Sequence, residues 1–525
     1  MTSSTQAPPR TDGAQTAGWL PLVVVLAGTF VTFLHFFIVN VALPSIETDL
    51  DAGSATLSLV VAGYGLTFAV GMITGGRLGD LYGRRRMFLT GLALFTLTSA
   101  ACGLAPSAEV LVAARFLKGA AGALLTPQVL AILGALYTGR RRGPAFAAYG
   151  FAMGIAGVLG QLIGGALIEA DLAGSGWRAV FLINVPVGLL ALPAARRVLL
   201  ESRGPRARLD LVGAALVTAA ATLLVLPLVE GREHGWPGWV WCCLAAAPVL
   251  AAGFVARQRR LAVRGGAPLV DLSLFRHRAF VAGTCVALGF ALIPSSFFFV
   301  LALHLQQGRG YGALFSGIVA VAVGAGYFLA MFLAGPLGDR LGHRVLAVGA
   351  LGVAAGCALL LATASAASAL ALVPGLAVTG LGIGLVLVPL SSTVLAGIDP
   401  RHAGAAAGVL SMAQHIGGAL GVAVIGVVFF GAGPTAEGAF TASLWVLVGV
   451  AVAVAGLTRL LRPSAAAGWS GRVEVPSAGS GPASTGRMVG AGSAAEQAGR
   501  VNGPVAGRPG ALDRGDDGAG RAQRL

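Results

Sequence analysis

The sequence predicts an all-α membrane protein with fourteen transmembrane helices, arranged as two six-helix bundles around an inserted pair (6+2+6) and enclosing a central cavity. Three observations carry that expectation. Long apolar runs recur along the chain, a short charged loop occurs twice at about half-chain spacing, and arginine is concentrated in every second loop.

Composition sets the class. With 56% apolar and 11% charged residues and a mean hydropathy of +0.83, the chain cannot coat a soluble globule with polar surface, so it belongs in a lipid bilayer. A net charge of +15 could suit a nucleic-acid binder. The arginines, however, lie in short clusters between apolar runs, with no interleaved aromatic residues and no basic face, so no nucleic-acid partner is expected. Lys118 is the only lysine, and no Gly-x-x-x-x-Gly-Lys phosphate loop surrounds it, which argues against direct ATP-driven pumping. The five cysteines lack metal-ligand spacing and read as packing thiols, so neither a metal nor a cofactor is expected.

Apolar runs long enough to cross ~30 Å of hydrocarbon lie near 19–41, 55–76, 87–105, 109–136, 145–168, 179–199, 209–229, 238–256, 279–303, 314–335, 345–364, 368–395, 404–430 and 440–461. The first follows a polar stretch and has no small-residue cleavage site, so it reads as a retained span rather than a signal peptide. One set of loops holds twenty arginines (84–86, 140–142, 196, 197, 203, 206, 208, 257, 259, 260, 264, 276, 278, 340, 344 and 401), whereas the alternate loops hold three, Arg178, Arg232 and Arg309. By the positive-inside rule the first set is cytoplasmic, and fourteen spans then place both termini inside.

The duplicated loop groups the spans. Gly76, Leu78, Gly79, Asp80, Gly83 and Arg85 each match the residue 259 positions later, in the stretch Gly335 to Arg344. The loop follows spans two and ten, which leaves residues 17–202 as one six-helix bundle, 203–278 as an inserted helix pair with basic linkers, and 279–462 as the second bundle. Residues 1–16 form a cytoplasmic tail, and 463–525, rich in Gly, Ala, Ser and Arg, cannot bury a core and read as a disordered cytoplasmic tail. A parallel repeat of this kind implies a cavity between the bundles that is exposed to alternate sides as they rock.

Candidate working residues are the polar ones stranded in the spans, because intramembrane charge is costly and faces a cavity or a partner. Arg115, Lys118, Gly119 and Gly122 share one face of span four. Arg115 lies about 12 Å below the outer end of its span and His35 about 13 Å below Pro44, hence at one depth. No Asp or Glu lies inside a span, so the groups left to carry a proton are His35, His415 and His304. Histidine titrates near pH 6.5 and suits that task. Structural alternatives stand beside these roles: Arg115 and Lys118 as struts between helices, and His35 as a satisfied core residue. Gly380 to Gly384 lies mid-span and reads as close helix packing rather than a phosphate site.

The duplicated stretch resembles the major facilitator superfamily signature Gly-x-Leu-x-Asp-x-x-Gly-Arg-Arg, which stands between spans two and three and recurs more weakly in the second half. Further motifs are similar to the fourteen-span drug:proton antiporters of that superfamily. Leu34-His35 through Val39-Asn40-Val41-Ala42-Leu43-Pro44 follows their first-span pattern, with His35 where the family carries an aspartate. Arg115-Phe116-Leu117-Lys118-Gly119 follows Arg-x-x-Gln-Gly, with Lys118 replacing the glutamine. Gly160-Gln161-Leu162-Ile163-Gly164-Gly165 follows Gly-Pro-x-x-Gly-Gly, with Gln161 replacing the proline and the glycines serving helix packing. Trp177-Arg178 through Phe181, Asn184, Pro186 and Gly188 matches the string at the head of span six.

The resemblance implies a monomeric secondary transporter, not an enzyme. It would export amphipathic small molecules such as drugs, antibiotics or secondary metabolites by proton antiport with alternating access. His35, Asn40, Arg115, Lys118, Gln161 and His415 would serve substrate and proton coupling. Gly76, Asp80, Gly83, Arg84, Arg85, Asp339 and Arg344 would form a cytoplasmic latch between the bundles. The basic, carboxylate-free set also leaves open a facilitated or differently coupled organic-anion transporter, and a non-transporting membrane sensor or scaffold is a further alternative. Arginine in place of lysine, with abundant Ala and Gly, points to a GC-rich bacterial genome and hence to a bacterial cytoplasmic membrane.

Overall fold

The computed structural model describes residues 18–461 except 138–140, 204–208, 233, 267, 367, 397, 399–402 and 434. The expected tails 1–16 and 463–525, and Arg140, Arg206, Arg208 and Arg401 of the basic loops, lie outside the described residues.

Backbone groups in hydrocarbon have no water to bond, so each apolar run satisfies them along its own length as a helix. Among the described residues there is no strand. The first six spans are α1 Trp19–Leu50, α2 Ser54–Tyr82, α3 Arg84–Gly103, α4 Ala108–Leu136, α5 Arg142–Ala170, and α6 Ala179–Leu182 with α7 Asn184–Val198, which form one span through the helical Ile183. Then come α8 Leu211–Glu230 and α9 Gly238–Val263. The last six are α10 Arg278–Leu303, α11 Ala313–Leu341, α12 Arg344–Thr363, α13 Val373–Leu395, α14 Ala403–Gly431 and α15 Ala436–Leu457. Thirteen helices are long and apolar enough to cross a membrane, and a fourteenth is reached by counting α5 as one span bent by 43° between Gly143–Gly157 and Leu159–Ala170. That bend falls in the glycine-rich run, where little side-chain packing resists it.

Several helices run past the ends expected from the sequence: α2 continues to Tyr82 and α11 to Leu341, so most of each duplicated stretch is helical rather than loop, and α9 continues to Val263. The first span is expected to end near residue 41, yet α1 continues to Leu50 with Pro44 inside it. A proline removes one backbone donor, which a long helix with packed neighbours tolerates. The ninth span ends in a short π-helix, His304–Gly308. Starts follow capping chemistry: Ser107, Asp210 and Thr435 each accept a backbone N–H in the first turn of α4, α8 and α15. The duplicated loops share a backbone reason for their glycine, because Gly83 has φ 108° and Gly342 has φ 57°, both in the range that disfavours a side chain.

Helix pairing repeats between the first and last six spans. α2 packs on α4 as α11 does on α13, α3 on α4 as α12 on α13, and α1 on α5 as α10 on α14. The two sets meet reciprocally, α5 against α11 and α2 against α14. α8 and α9 pack on each other, and α8 also lies against α2 and α14. The α5–α11 contact is backbone to backbone. A Cβ added at Gly165 would lie 2.7 Å from Leu314 Cα, and one at Gly317 would lie 2.6 Å from the Gln161 carbonyl oxygen.

On the basic side, Asp210 ties the inserted pair together. Its buried carboxylate accepts from Arg257 Nε at 2.7 Å, Gln258 Nε2 at 2.9 Å and the Gly213 amide at 2.9 Å. Gln258 Oε1 in turn accepts from the Leu269 amide at 2.7 Å, and Arg77 of α2 donates to the neighbouring Pro268 carbonyl at 2.9 Å. Burial alone would raise the Asp210 carboxyl, but the hydrogen bonds and the Arg257 charge outweigh it and hold the group below the ordinary carboxylate value.

Two outcomes follow from this packing. Gly165→Leu and Gly317→Leu are each expected to destabilise the purified protein by about 1–3 kcal/mol, read as a drop in melting midpoint. Gly150→Leu, where an added Cβ meets nothing within 4 Å, should leave the midpoint in place. A carboxylate held below its unfolded value stabilises the fold above that value and stops doing so as pH falls through the folded one. Asp210→Asn should therefore melt earlier than the parent at pH 7, with the gap closing below about pH 4.

Candidate functional site

A cluster of charged and polar side chains sits inside the first six spans, walled by aromatic rings. Lys118 of α4 is fully buried and Arg115, one turn earlier, is 1% exposed. His35 of α1 is likewise sealed from solvent. Lys118 Nζ lies 2.6 Å from His35 Nε2, and Asn184 Nδ2, at the start of α7, also contacts that nitrogen. Asn184 Nδ2 additionally donates to the Phe181 carbonyl at 3.1 Å. With two donors aimed at Nε2, the imidazole carries its hydrogen on Nδ1, which is buried without a partner.

Ring faces surround the cations. Lys118 Nζ stands 4.8 Å from the centroid of Phe95 and 5.3 Å from that of Phe181, while the Arg115 guanidinium lies 4.6 Å from the Tyr64 ring. Contacts of this kind contribute on the order of 2 kcal/mol when desolvated. Arg115 Nε donates to the Val60 carbonyl at 2.6 Å, and its Nη1 is buried without a partner. Among the described residues no carboxylate pairs with either cation. His35 stacks on Phe181 at 5.5 Å and meets Phe95 edge-on at 5.7 Å. The structure thus brings His35 and Lys118 into contact and places Arg115 against the shared Phe181 ring, 6.0 Å from its centroid.

This arrangement ties protonation to shape. The Nε2 lone pair holds Lys118 and Asn184 in place. A proton added at Nε2 turns an acceptor into a donor facing two donors, so the contacts must rearrange.

The other predicted residues lie on another face of α1, on α5 or on the other half. Asn40 Nδ2 donates to the Phe36 and Phe37 carbonyls at 3.2 and 3.3 Å, and Gln161 Nε2 of α5 reaches the same Phe37 oxygen at 3.1 Å. Gly160 and Gly164 let α5 approach α1, with an added Cβ lying 3.1 Å from Phe37 Cβ and from the Ile38 carbonyl oxygen respectively. His415 of α14 does not join the His35 cluster. It stacks on Phe36 at 5.3 Å and meets Phe68 edge-on at 4.5 Å, so ring contacts bridge the two halves where the sequence expects the central cavity. A cavity of about 290 Å³ lies elsewhere, against His304, Arg309, Tyr311 and Glu437.

In the duplicated loop, Asp80 pairs with Arg84 at 3.1 Å within its own segment. Arg85 donates to the Arg196 carbonyl, and Glu201 accepts from the Arg85 amide at 3.0 Å. Gly76 packs near Pro127, with an added Cβ 3.6 Å from Pro127 Cβ. Asp339 and Arg344 of the second copy are exposed. The bond from this region toward the far half is that from Arg77, described above.

Sequence reasoning singled out neither Phe181 nor Asn184 as site residues. Both were legible as the Phe and Asn of the Trp177–Gly188 string, three residues apart and so on one helix face, but nothing in the string shows that this face lies against His35. Trp177 and Arg178 of that string bind Asp49 of α1 at 3.0 and 2.6 Å.

Comparison with known proteins agrees with this architecture. The sequence profile described as Major Facilitator Superfamily matches residues 25–422. The chain is 41% identical over 419 residues to a "Probable actinorhodin transporter" of Streptomyces coelicolor, covering 79% of this chain and 72% of that protein. It is 37% identical to the "Cephamycin export protein CmcT" of Amycolatopsis lactamdurans, covering 87% of this chain and 95% of that one. It is 35% identical to the "Puromycin resistance protein pur8" of Streptomyces alboniger, covering 80% and 84%. In fold alone, it is similar to a crystal structure of a POT family transporter, with a TM-score of 0.62 at 16% identity over 84% of this chain and 96% of that one. The chain is a multi-pass membrane protein that belongs to the Major Facilitator Superfamily.

Proposed function

We propose that this protein is a secondary active exporter of amphipathic small molecules of the antibiotic or secondary-metabolite kind, driven by proton antiport. Relatives named as exporters and resistance proteins support the substrate class. The observation that carries the coupling is the buried His35–Lys118 contact at 2.6 Å. It is a proton-accepting group inside a span, with a geometry that depends on whether the proton is there.

In this reading the six first and six last spans rock about the α2–α14 and α5–α11 contacts. The basic loops face the cytoplasm of a bacterium, with both termini on that side, and the unit is a monomer. At the opposite end the halves are joined: Gln306 Nε2 donates to the Val41 carbonyl at 3.0 Å, and Gln307 bonds Glu47. That end is the outer gate, shut in this conformation. Arg77, Asp80, Arg84 and Arg85 act at the inner end, closing on the second half when the outer gate opens. Asp339 and Arg344 would act with them as the second-half copy. A proton arriving from outside converts His35 to a cation beside Lys118, and repulsion drives the cluster apart.

A second reading, an organic-anion carrier not coupled to protons, is favoured by the absence of a carboxylate paired with Arg115 or Lys118 among the described residues.

The two readings separate in proteoliposomes loaded with a pH-sensitive dye. Export should acidify the compartment that receives protons in the parent protein. His35→Gln and Lys118→Met should each reduce substrate-dependent proton movement at least about tenfold, the loss typical of a removed proton-transfer group, without changing the melting midpoint by more than a few degrees. Substrate movement without any proton signal in the parent protein would select the second reading. Full proton coupling in the double variant would remove the role given to this pair.

A further inference from the structure

Where the two halves touch, four rings from three helices form a box. Phe36 (α1) meets Tyr64 edge-on at 4.8 Å and Phe68 edge-on at 5.3 Å, both from α2. Tyr64 and Phe68 lie 5.9 Å apart. Into this corner α14 inserts His415, stacked on Phe36 with an interplanar angle of 18° and perpendicular to Phe68. Centroid spacings of 4.5 to 5.3 Å in the stacked and edge-on pairs are those favoured by aromatic quadrupoles.

The three phenyl and phenol rings belong to the first half, and the imidazole belongs to the second. We propose that Phe36, Tyr64 and Phe68 are a binding slot for a planar aromatic ring system, neutral or anionic, and that His415 fills it as a stand-in ring while the halves are closed. The proposal rests on the exporter reading and narrows its substrate class.

Several observations distinguish a slot from ordinary packing. His415 is held by ring faces alone, since among the described residues neither imidazole nitrogen has a hydrogen-bond partner, so little restrains it when the halves part. Its walls, by contrast, are fixed. Tyr64 and Phe68 are fully buried, and the Tyr64 hydroxyl donates to the Thr32 carbonyl at 3.1 Å. Phe36 and His415 keep part of their surface uncovered. Any rocking that separates α14 from α1 and α2 withdraws the imidazole and leaves a flat, apolar face of the same outline.

Charge sets the sign of the ligand. Behind Tyr64 stands Arg115, 4.6 Å from the ring, with Lys118 one turn further on, and no carboxylate pairs with either among the described residues. From α14 the nearby polar groups are Ser411, whose Oγ reaches Met72 Sδ at 3.5 Å, and Gln414, both uncharged. A cation in the slot would face like charge with no counter-ion, whereas an anion would be welcomed from behind the ring.

The test reads binding rather than transport, using purified protein in nanodiscs with empty nanodiscs as blank. The probes are 1-pyrenesulfonate (a planar fluorescent anion), decyl sulfate (a flexible anion of equal charge) and 1-pyrenemethylammonium (a planar cation). Pyrenesulfonate should bind at least about tenfold more tightly than either of the others. His415→Ala should tighten it about threefold by removing the competing ring, and Phe36→Leu, which keeps bulk but removes the flat face, should weaken it about tenfold, the span of a lost aromatic pair. Equal affinity for decyl sulfate, a preference for the cation, or unchanged or weaker binding in His415→Ala would overturn the slot. Because no transport step enters the measurement, a slot that binds in a protein that exports nothing would sink the exporter reading alone, and export without these preferences would sink the slot alone.

Discussion

Burying positive charge without a negative partner is the constraint on which the first half of this protein turns. Lys118 and Arg115 are sealed among helices, and what surrounds them is an imidazole lone pair, one backbone carbonyl and the faces of Tyr64, Phe95 and Phe181. Each of these is a weaker counter-charge than a carboxylate, so the cluster is held by the sum of many small attractions. A site balanced in this way is sensitive to a single added proton, because the imidazole nitrogen changes from the acceptor that organises it into one more donor. Phe181 and Asn184 belong to the same design: they stand three residues apart on one face of a continuous helical turn through Ile183, and that face meets His35.

α1 is the element through which that sensitivity can reach the rest of the molecule. Successive residues on a helix point about 100° apart, and here three consecutive side chains face three environments. His35 looks into its own half, Phe36 meets His415 of the other half, and Phe37 lies against Gly160 of α5 and 5.3 Å from Phe298 of α10. A helix so tightly engaged cannot relax at His35 alone. Any rotation that relieves repulsion there also moves the ring contact that closes the interface. Because α5 approaches α1 through glycines, the pair moves together rather than slipping.

The two ends of the molecule are built differently. Away from the basic loops, side chains of α1 and the π-helix reach directly across between the halves, and α5 meets α11 at backbone distance. On the basic side, Arg77 reaches a single carbonyl in the linker that Asp210 and Gln258 hold against the inserted pair. The inserted helices thereby anchor the segment that leads into the second half, while Arg84 and Arg85 of the duplicated stretch bond to Ser202, Arg196 and Glu201 within the first half.

Much of this architecture was legible in the sequence, because the bilayer leaves the backbone few options. Apolar length gives the spans, and the 259-residue repeat points to the helix pairing that recurs between the first and last six. The order and spacing of residues along each span also follow from helical rise alone. Azimuth does not. Whether His35 faces its own bundle or the neighbouring one, that Phe36 and not His35 meets His415, and that Phe181 and Asn184 complete the cluster all depend on how each helix is rotated against its neighbours. That rotation is decided by glycine contacts and ring packing between residues far apart in the chain, such as Gly165 with Leu314, which no local pattern encodes.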